Sequence, residues 1–256
     1  MTSKITIKSK EEIKIMAEGG TKLGRIKHEL QKAIKEGENA AEIDKLADHL
    51  ISASGGEASF KMVPDYKWAT CINVNEGVVH GIPKDTMTFK KNDVVSVDVG
   101  LYYKGFHTDT SFSVLVGEDK KLNKFLDIGE KALGFAIDKA VSGNRIYDIS
   151  DTIESTLHKN SLSPIEALVG HGVGKNLHEE PQIPCFTAGN YNSSPKIENG
   201  MVFAIEVMYA QGKPDVEQEA DGWTISLVDG KIAGLYEETV AVTDRGPQVL
   251  TAIKAD

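Results

Sequence analysis

The chain has 256 residues, 40% of them hydrophobic, enough to bury a sizeable core in one large domain or two small ones. A formal net charge of -9 excludes broad binding to nucleic acid or acidic membrane, which attract basic proteins, and suits a protein that gathers cations. The two cysteines, Cys71 and Cys185, stand in no paired spacing. Neither a disulfide framework nor a cysteine zinc site is expected, and a reducing cytoplasm is the expected location.

Residues 1–12 hold no apolar stretch of the kind an export signal needs, and no later run is long enough to cross a bilayer. Ser9 followed by Glu12 reads as a capping box, and Ile13, Met16, Gly20, Leu23, Ile26, Leu30 and Ile34 recur at helical spacing, predicting a long amphipathic helix. A second helix is predicted from Asn39 through Ile43, Leu46, Ala47, Leu50 and Ile51 until Gly55-Gly56 stops it. Segment 60–68 mixes aromatics, Met and Pro, as a pocket-lining loop would. Residues 70–75 alternate with period two and lead into 77–83, read as a strand, a turn and another short strand. Residues 94–100 form an apolar run broken only by Asp98. After a turn at Gly105, 107–114 is its antiparallel partner and carries Asp109.

Helical periodicity returns over 119–141 and 145–158, and then the plan repeats. Residues 199–207, ending on Glu206-Val207, echo 92–99, which end on Asp98-Val99. The last strand pair, 222–228 and 235–243, is predicted to flank a turn at Asp229-Gly230. No Pro/Gly/Ser-rich linker separates the halves, so they are expected to share one core.

Asp98, Asp109, Glu206 and one of Glu237 or Glu238 sit in strand-like apolar runs that contain no Lys or Arg. Burying such a carboxylate costs several kcal/mol unless something compensates it. His171 lies within Gly170-His171-Gly172-Val173-Gly174, where three glycines clear the space around the imidazole. Any one of these residues alone reads more simply as a surface acid or a turn histidine. As a set, four carboxylates and one imidazole match two divalent ions, with Mn, Fe or Co favoured by oxygen-rich ligation and Zn admissible. Two metals sharing a hydroxide would attack a carbonyl at neutral pH and clamp it, which leads to amide hydrolysis. An oxyanion donor and a proton carrier are then needed, and His178 and His80 are available.

Together the motifs resemble one family. They are Asn75-Glu76-Gly77-Val78-Val79-His80-Gly81-Ile82-Pro83, Val97-Asp98-Val99-Gly100, Thr108-Asp109-Thr110, Gly170-His171-Gly172-Val173-Gly174 with His178-Glu179-Glu180-Pro181, Gly200-Met201-Val202-Phe203-Ala204-Ile205-Glu206, and Tyr236-Glu237-Glu238-Thr239. The chain is similar over nearly its whole length to the methionine aminopeptidases of the short bacterial type I form. The resemblance implies an α+β pita-bread fold, with pseudo-two-fold duplicated halves and an antiparallel sheet core covered by helices. It implies a single catalytic domain over 1–256, with a short N-terminal segment 1–8 outside the core.

The resemblance also implies roles. Asp98 would chelate one metal, Asp109 and Glu237 would bridge both, and His171 and Glu206 would hold the other. Glu206 would shuttle the proton, His80 would contact substrate and assist the departing amine, and His178 would stabilise the tetrahedral intermediate. Tyr66, Cys71 and Trp223 match apolar positions of the pocket for the substrate's first side chain. Phe60, Val63 and Leu177 replace the usual residues there, and Val207 stands where Pro is usual. The implied cofactors are two divalent ions (Co, Mn, Fe or Zn), and the implied partner is the N-terminal peptide of nascent polypeptides, with the ribosome a further candidate. DNA and membrane are excluded as partners, and a monomer is the default. Two rivals are a same-fold peptidase acting before proline, whose extra histidine and arginine find no match, and a non-catalytic binding module, expected to lose ligands that are all present.

Overall fold

Helix α1 (Lys10–Ala33) starts on the capping box: the Glu12 N–H donates to Ser9 Oγ at 3.2 Å, and the Ser9 N–H donates to the Glu12 carboxylate at 2.9 Å. In α2 (Ala40–Ala53) the Asn39 side chain caps the first turn by accepting from the Ala41 N–H. This is a computed structural model, and it describes residues 5–252. Short β1 (Glu57–Ala58) and a single 3-10 turn at Phe60–Met62 precede β2 (Thr70–Val74) and β3 (Gly77–Val79). A long hairpin follows, β4 (Val94–Tyr103) and β5 (Phe106–Leu115), turning at Lys104-Gly105 with both residues at positive φ.

The second half opens with α3 (Lys120–Ile137), capped by Asp119 and ending before the expected 141, and α4 (Ile146–His158). Its strands are β6 (Ser163–Pro164), β7 (Val169–Gly172), β8 (Glu179–Pro184), β9 (Val202–Ala210), β10 (Val216–Gln218), β11 (Ile225–Leu227), β12 (Ala233–Thr243) and β13 (Gly246–Val249). Among the described residues, ten strands form one sheet with the path β1-β4-β5-β12-β9-β7-β8. β2 is added on β4, β6 on β9 and β13 on β12. The hairpin of each half thus meets the other across β5 and β12, and every pairing in this sheet is antiparallel.

One expected pairing is corrected. The strand at 222–228 does not pair with 235–243, because β12 already has β5 on one edge and β9 on the other. β11 instead joins β10 and β3 in a separate three-stranded sheet. The strand, turn and short strand read over 70–83 form as β2 and β3, but β3 ends at Val79, since His80 takes a left-handed backbone (φ 57°) and Pro83 has no N–H to give a ladder. The core draws on both halves, and its main cluster takes in Val78, Val79 and Val94 together with residues of the second half. Leu23, Ile26 and Leu30 of α1 and Ile43 and Ile51 of α2 pack on Val95, Val97, Val99 and Phe112, whereas α3 and α4 pack on Phe203, Ile205, Val207 and Tyr209. The N-terminal half of α1 bridges the halves through Met16, which clusters with Phe106, Val202 and Ala241.

Segment 1–8, expected outside the core, is described from residue 5. Lys8 is only 7% exposed, its N–H donates to Gly200 O, and its ammonium pairs with Glu179 at 2.7 Å. The Thr6 hydroxyl also donates to Glu179. Thr6 and Lys8 are therefore tied to Glu179 at the start of β8 and to Gly200.

The seam between the halves is unusual. β5 and β12 share one registered pair, Ser111 opposite Glu237, and side-chain hydroxyls make the joins on either side. Thr239 Oγ1 donates to Asp109 O and accepts from the Asp109 N–H, each at 2.8 Å. Ser113 Oγ does the same for Leu235 O and N–H, each at 2.9 Å. Thr110 Oγ1 donates to Glu237 O at 2.8 Å. Backbone polar groups buried here need partners, and these hydroxyls supply them without bringing the strands to full ladder contact.

Candidate metal centre

Alternation along the strands decides which side chains meet. On β4 the odd residues Val95, Val97 and Val99 face α1 and α2, so Asp98 points to the other side of the sheet. Register then places Asp98 opposite Ser111, Gly100 opposite Asp109, and Glu206 opposite Glu237. Because Ser111 also pairs with Glu237, Asp98, Asp109, Glu206 and Glu237 share one face around the seam. Glu238, one residue on, turns to the opposite face, so the choice that alternation alone left open falls on Glu237, the residue that the resemblance implied.

His171 closes the group from β7, paired with Ala204 of β9. One ligand atom each of Asp109, His171 and Glu237 lies within 4.8 Å of the other two. His171 Nε2 is 3.4 Å from Glu206 Oε1. Its Nδ1 lies 2.9 Å from the Gly172 carbonyl, which can only accept, so Nδ1 carries the proton and Nε2 presents a lone pair to the carboxylates. Asp98 Oδ1 and Glu237 Oε1 are buried without any hydrogen-bond partner. Burial and the charges of Asp109 and Glu206 push the carboxyls of Asp98 and Glu237 well above the usual range, and burial with Asp109 does the same to Glu206. Asp109 is pushed up to about 7 by burial. Burial, then the neighbouring His178, lowers His171 to about 4, so it is neutral at pH 7.

A lone pair and orphaned carboxylate oxygens aimed at one another, with no cation among the facing side chains, is a donor set that fits divalent metal ions. The ligand set expected from the sequence is therefore brought together, most tightly at Asp109, His171 and Glu237.

The two other histidines flank this group. The His178 ring lies 4.5 Å from that of His171, edge to face, and burial lowers its pKa. His80 is solvent-accessible at the end of β3, and burial of its ring and then the charge of His178 hold it below its usual value. Its left-handed backbone is strained for a non-glycine residue by about 1 kcal/mol. Gly81 has to follow, because a Cβ there would meet Ile72 O at 2.1 Å.

The pocket residues also assemble. Phe60, Tyr66, Cys71 and Leu177 form a buried cluster, with Val63, Trp68 and Trp223 packed on it. Tyr66 stacks edge-on against Trp223 at 5.0 Å and Trp68 at 5.3 Å, and its hydroxyl donates to Thr70 O. Cys71 is the registered neighbour of Asp98, so the apolar cluster abuts the carboxylates directly. A cleft of about 490 Å³, lined by Thr6, His171, Asn176, His178, Glu179 and Gln182, opens beside it. A larger groove of about 770 Å³ along Lys10, Lys14 and Arg245 contains none of the converging carboxylates.

Sequence reasoning missed the supports behind these residues. Ser59 Oγ lies 2.9 Å from His107 Nδ1 in the buried zone beside Asp109. Thr110 and Thr239 hold the backbone of Glu237 and Asp109. Threonine is ordinary in strands, so its spacing carried no warning. Lys8 and Thr6 anchor Glu179 next to His178, and the only cue for Lys8 was its place just before the capping box.

Comparison with known proteins identifies the family. The model of metallopeptidase family M24 matches residues 14–244. The methionine aminopeptidase of Clostridium perfringens is 37% identical over 98% of this chain and 100% of its own. Methionine aminopeptidase 1 of Bacillus subtilis is 37% identical over 97% and 100%. The crystal structure of the Thermotoga maritima methionine aminopeptidase superposes with a TM-score of 0.94 at 36% identity, covering 97% of this chain and 100% of that one. The Pyrococcus furiosus prolidase shares the fold, with a TM-score of 0.75 at 22% identity over 98% of this chain and 66% of that one. With a buried carboxylate–histidine cluster on a duplicated antiparallel sheet and full-length relatives at this identity, the chain belongs to metallopeptidase family M24, among the methionine aminopeptidases.

Proposed function

We propose that the chain removes the N-terminal methionine from nascent polypeptides in the cytoplasm, with Asp98, Asp109, His171, Glu206 and Glu237 holding two divalent cations. The observation that carries this reading is the junction of the two clusters: Cys71 of the apolar pocket is registered against Asp98 of the acidic face. A methionine side chain seated among Tyr66, Cys71, Leu177 and Trp223 would bring its own carbonyl to the carboxylates and histidines. When bound, the cations would lower the pKa of water and polarise that carbonyl.

The side chains supply the remainder. Glu206, which faces His171 Nε2 at 3.4 Å, takes the proton of the attacking water and passes it toward the leaving amine. His178, neutral at pH 7, donates to the developing oxyanion, and His80 from its exposed turn steadies the departing peptide nitrogen. Methionine suits the pocket because its flexible thioether adapts to irregular apolar walls.

The test is turnover of Met-Ala, Ala-Pro and Met-Pro peptides by metal-loaded protein. Release of methionine from Met-Ala with metal bound is expected. Cleavage confined to the proline peptides would transfer the chain to the proline-specific rival, and no hydrolysis of any would leave a binding module.

A further inference from the structure

On the helix side of the sheet, directly behind Asp109 and Glu237, Glu238 of β12 is paired with a cation that none of the strand runs supplies. Lys27 of α1 donates to Glu238 Oε1 at 2.5 Å and to Thr110 Oγ1 at 2.9 Å, and both members of the pair are largely buried, their side chains 12% and 19% exposed. Lys27 occupies the otherwise apolar face of α1, one turn after Leu23 and just before Leu30. A charge placed there costs free energy unless it is paired. The Thr251 hydroxyl also donates to Glu238, and the Thr239 N–H donates to Thr251 Oγ1 at 3.0 Å. Segment 250–251 reaches this spot because Gly20 and Gly24 of α1 leave room for it. A Cβ at those positions would meet Leu250 O at 2.5 Å and Thr251 O at 2.3 Å.

We propose that Lys27 is a positioning residue for the metal centre, fixing Glu237 and Asp109 from behind through Glu238 and Thr110. This rests on the reading of that centre given above. The link runs through one proton. Thr110 Oγ1 has a single hydrogen, with Glu237 O at 2.8 Å and Glu238 Oε2 at 3.3 Å as competing acceptors. Lys27 settles the competition, because it satisfies the Glu238 carboxylate and, by donating to Thr110 Oγ1, orients that hydroxyl toward the Glu237 carbonyl. Without the ammonium, the hydroxyl is drawn to the bare carboxylate. The Glu237 carbonyl is then left without its seam partner, and the strand carrying one of the closest-set ligands loosens.

Lys27 also cancels the charge of Glu238, which would otherwise lie unpaired one residue from a buried carboxylate.

The experiment compares wild type, Lys27→Met, Glu238→Gln and the double variant. Dissociation constants for Mn²⁺ and Co²⁺ are measured by calorimetry, and kcat and KM on a Met-Ala-Ser peptide. The expected result is a metal dissociation constant raised about tenfold or more in Lys27→Met. Its kcat should fall while KM stays within about threefold. A smaller loss of the same kind is expected in Glu238→Gln, with the double variant returning to within about threefold of wild type, because a neutral pair needs no cation.

Wild-type metal binding and turnover in Lys27→Met overturns the proposal, as does a double variant impaired by the sum of the singles. A purely structural lysine would lower the melting temperature and leave the metal constants unmoved, which also overturns it. If Lys27→Met fails to fold, Glu238→Gln and the double variant still decide, since a double no better than Glu238→Gln alone counts against the proposal. Failure of wild type to bind either metal would instead remove the underlying reading of the centre.

Discussion

Replacing Thr239 by Val tests whether hydroxyls, rather than a backbone ladder, hold the two halves of the sheet together at the site. Val has the same shape and an equal or better strand preference, so no cavity opens and no backbone strain enters. What is lost is one oxygen that serves both the N–H and the C=O of Asp109, each at 2.8 Å, at a position with no exposure to solvent. Each buried backbone group left without a partner costs about 1 to 3 kcal/mol, so the pair amounts to about 2 to 6 kcal/mol, less the small gain from burying an extra methyl. The assay is urea denaturation of the metal-free protein, with turnover measured on the loaded one. Thr239→Ser is the control, since it keeps the oxygen and loses only a methyl, at about 1 kcal/mol. Activity of Thr239→Val should fall along with stability, because Asp109 is the residue set free. The reasoning fails if Val costs under about 1 kcal/mol with full turnover, or if Ser is as damaging as Val.

Other outcomes follow from the site and its supports. Lys8→Met strands Glu179, a buried carboxylate that burial pushes up but Lys8, Thr6 and the Asn176 N–H together hold below its usual range. A depressed carboxyl contributes stability above its unfolded pKa and loses it as pH falls. The variant should therefore cost about 3 kcal/mol at pH 7 and progressively less as pH drops through the ordinary carboxylate range, by denaturation at several pH values; an equal deficit throughout refutes the pairing. Metal loading should release protons. Asp109, pushed up to about 7, is largely protonated in the metal-free protein at pH 6, whereas His171, lowered to about 4, has no proton to give up. Calorimetry in buffers of different ionisation enthalpy should find on the order of one proton or more released at pH 6, and fewer at pH 8.5, with metal affinity rising between them; release that grows with pH contradicts the assignment. Trp223→Ala opens the pocket wall against Tyr66 and should cut kcat/KM for Met-Ala-Ser about 10- to 100-fold, with metal affinity unchanged, and an unaltered rate would place the methionine elsewhere.

What the sequence made legible was local or anomalous. The Ser9–Glu12 box and the turn at Gly105 depend on residues a few positions apart, and both form as read. The acids of the site stood out because a carboxylate inside an apolar strand is costly, so Asp98, Asp109 and Glu206 declared themselves without any knowledge of which strand lay beside which. Period two could say that Glu237 and Glu238 face opposite ways but not which faces inward, since that depends on where β12 sits against β5 and β9. The same limit explains the misplaced β11: alternation assigns a face to a strand and leaves its neighbour open, and β12 had no free edge left. Lys8, Lys27 and Thr239 were invisible for a different reason. Each is an unremarkable residue in its own segment, and acquires a role only from a partner lying 130 to 211 positions away.

The seam also explains why the cluster lies where it does. A continuous backbone ladder between β5 and β12 would draw the two hairpins to ordinary strand spacing and leave little room between facing carboxylates. Hydroxyls at Thr110, Ser113 and Thr239 satisfy the same backbone groups through side chains and leave the hairpins joined but not closed. The proposed ligands then reach in from both halves, Asp98 and Asp109 from one and Glu206, Glu237 and His171 from the other, so a cation bound there would tie the halves to each other. Without a cation the crowded carboxyls tend instead to keep their protons, the direction in which burial and their mutual charges push them, and the hydroxyl contacts join the halves at the seam.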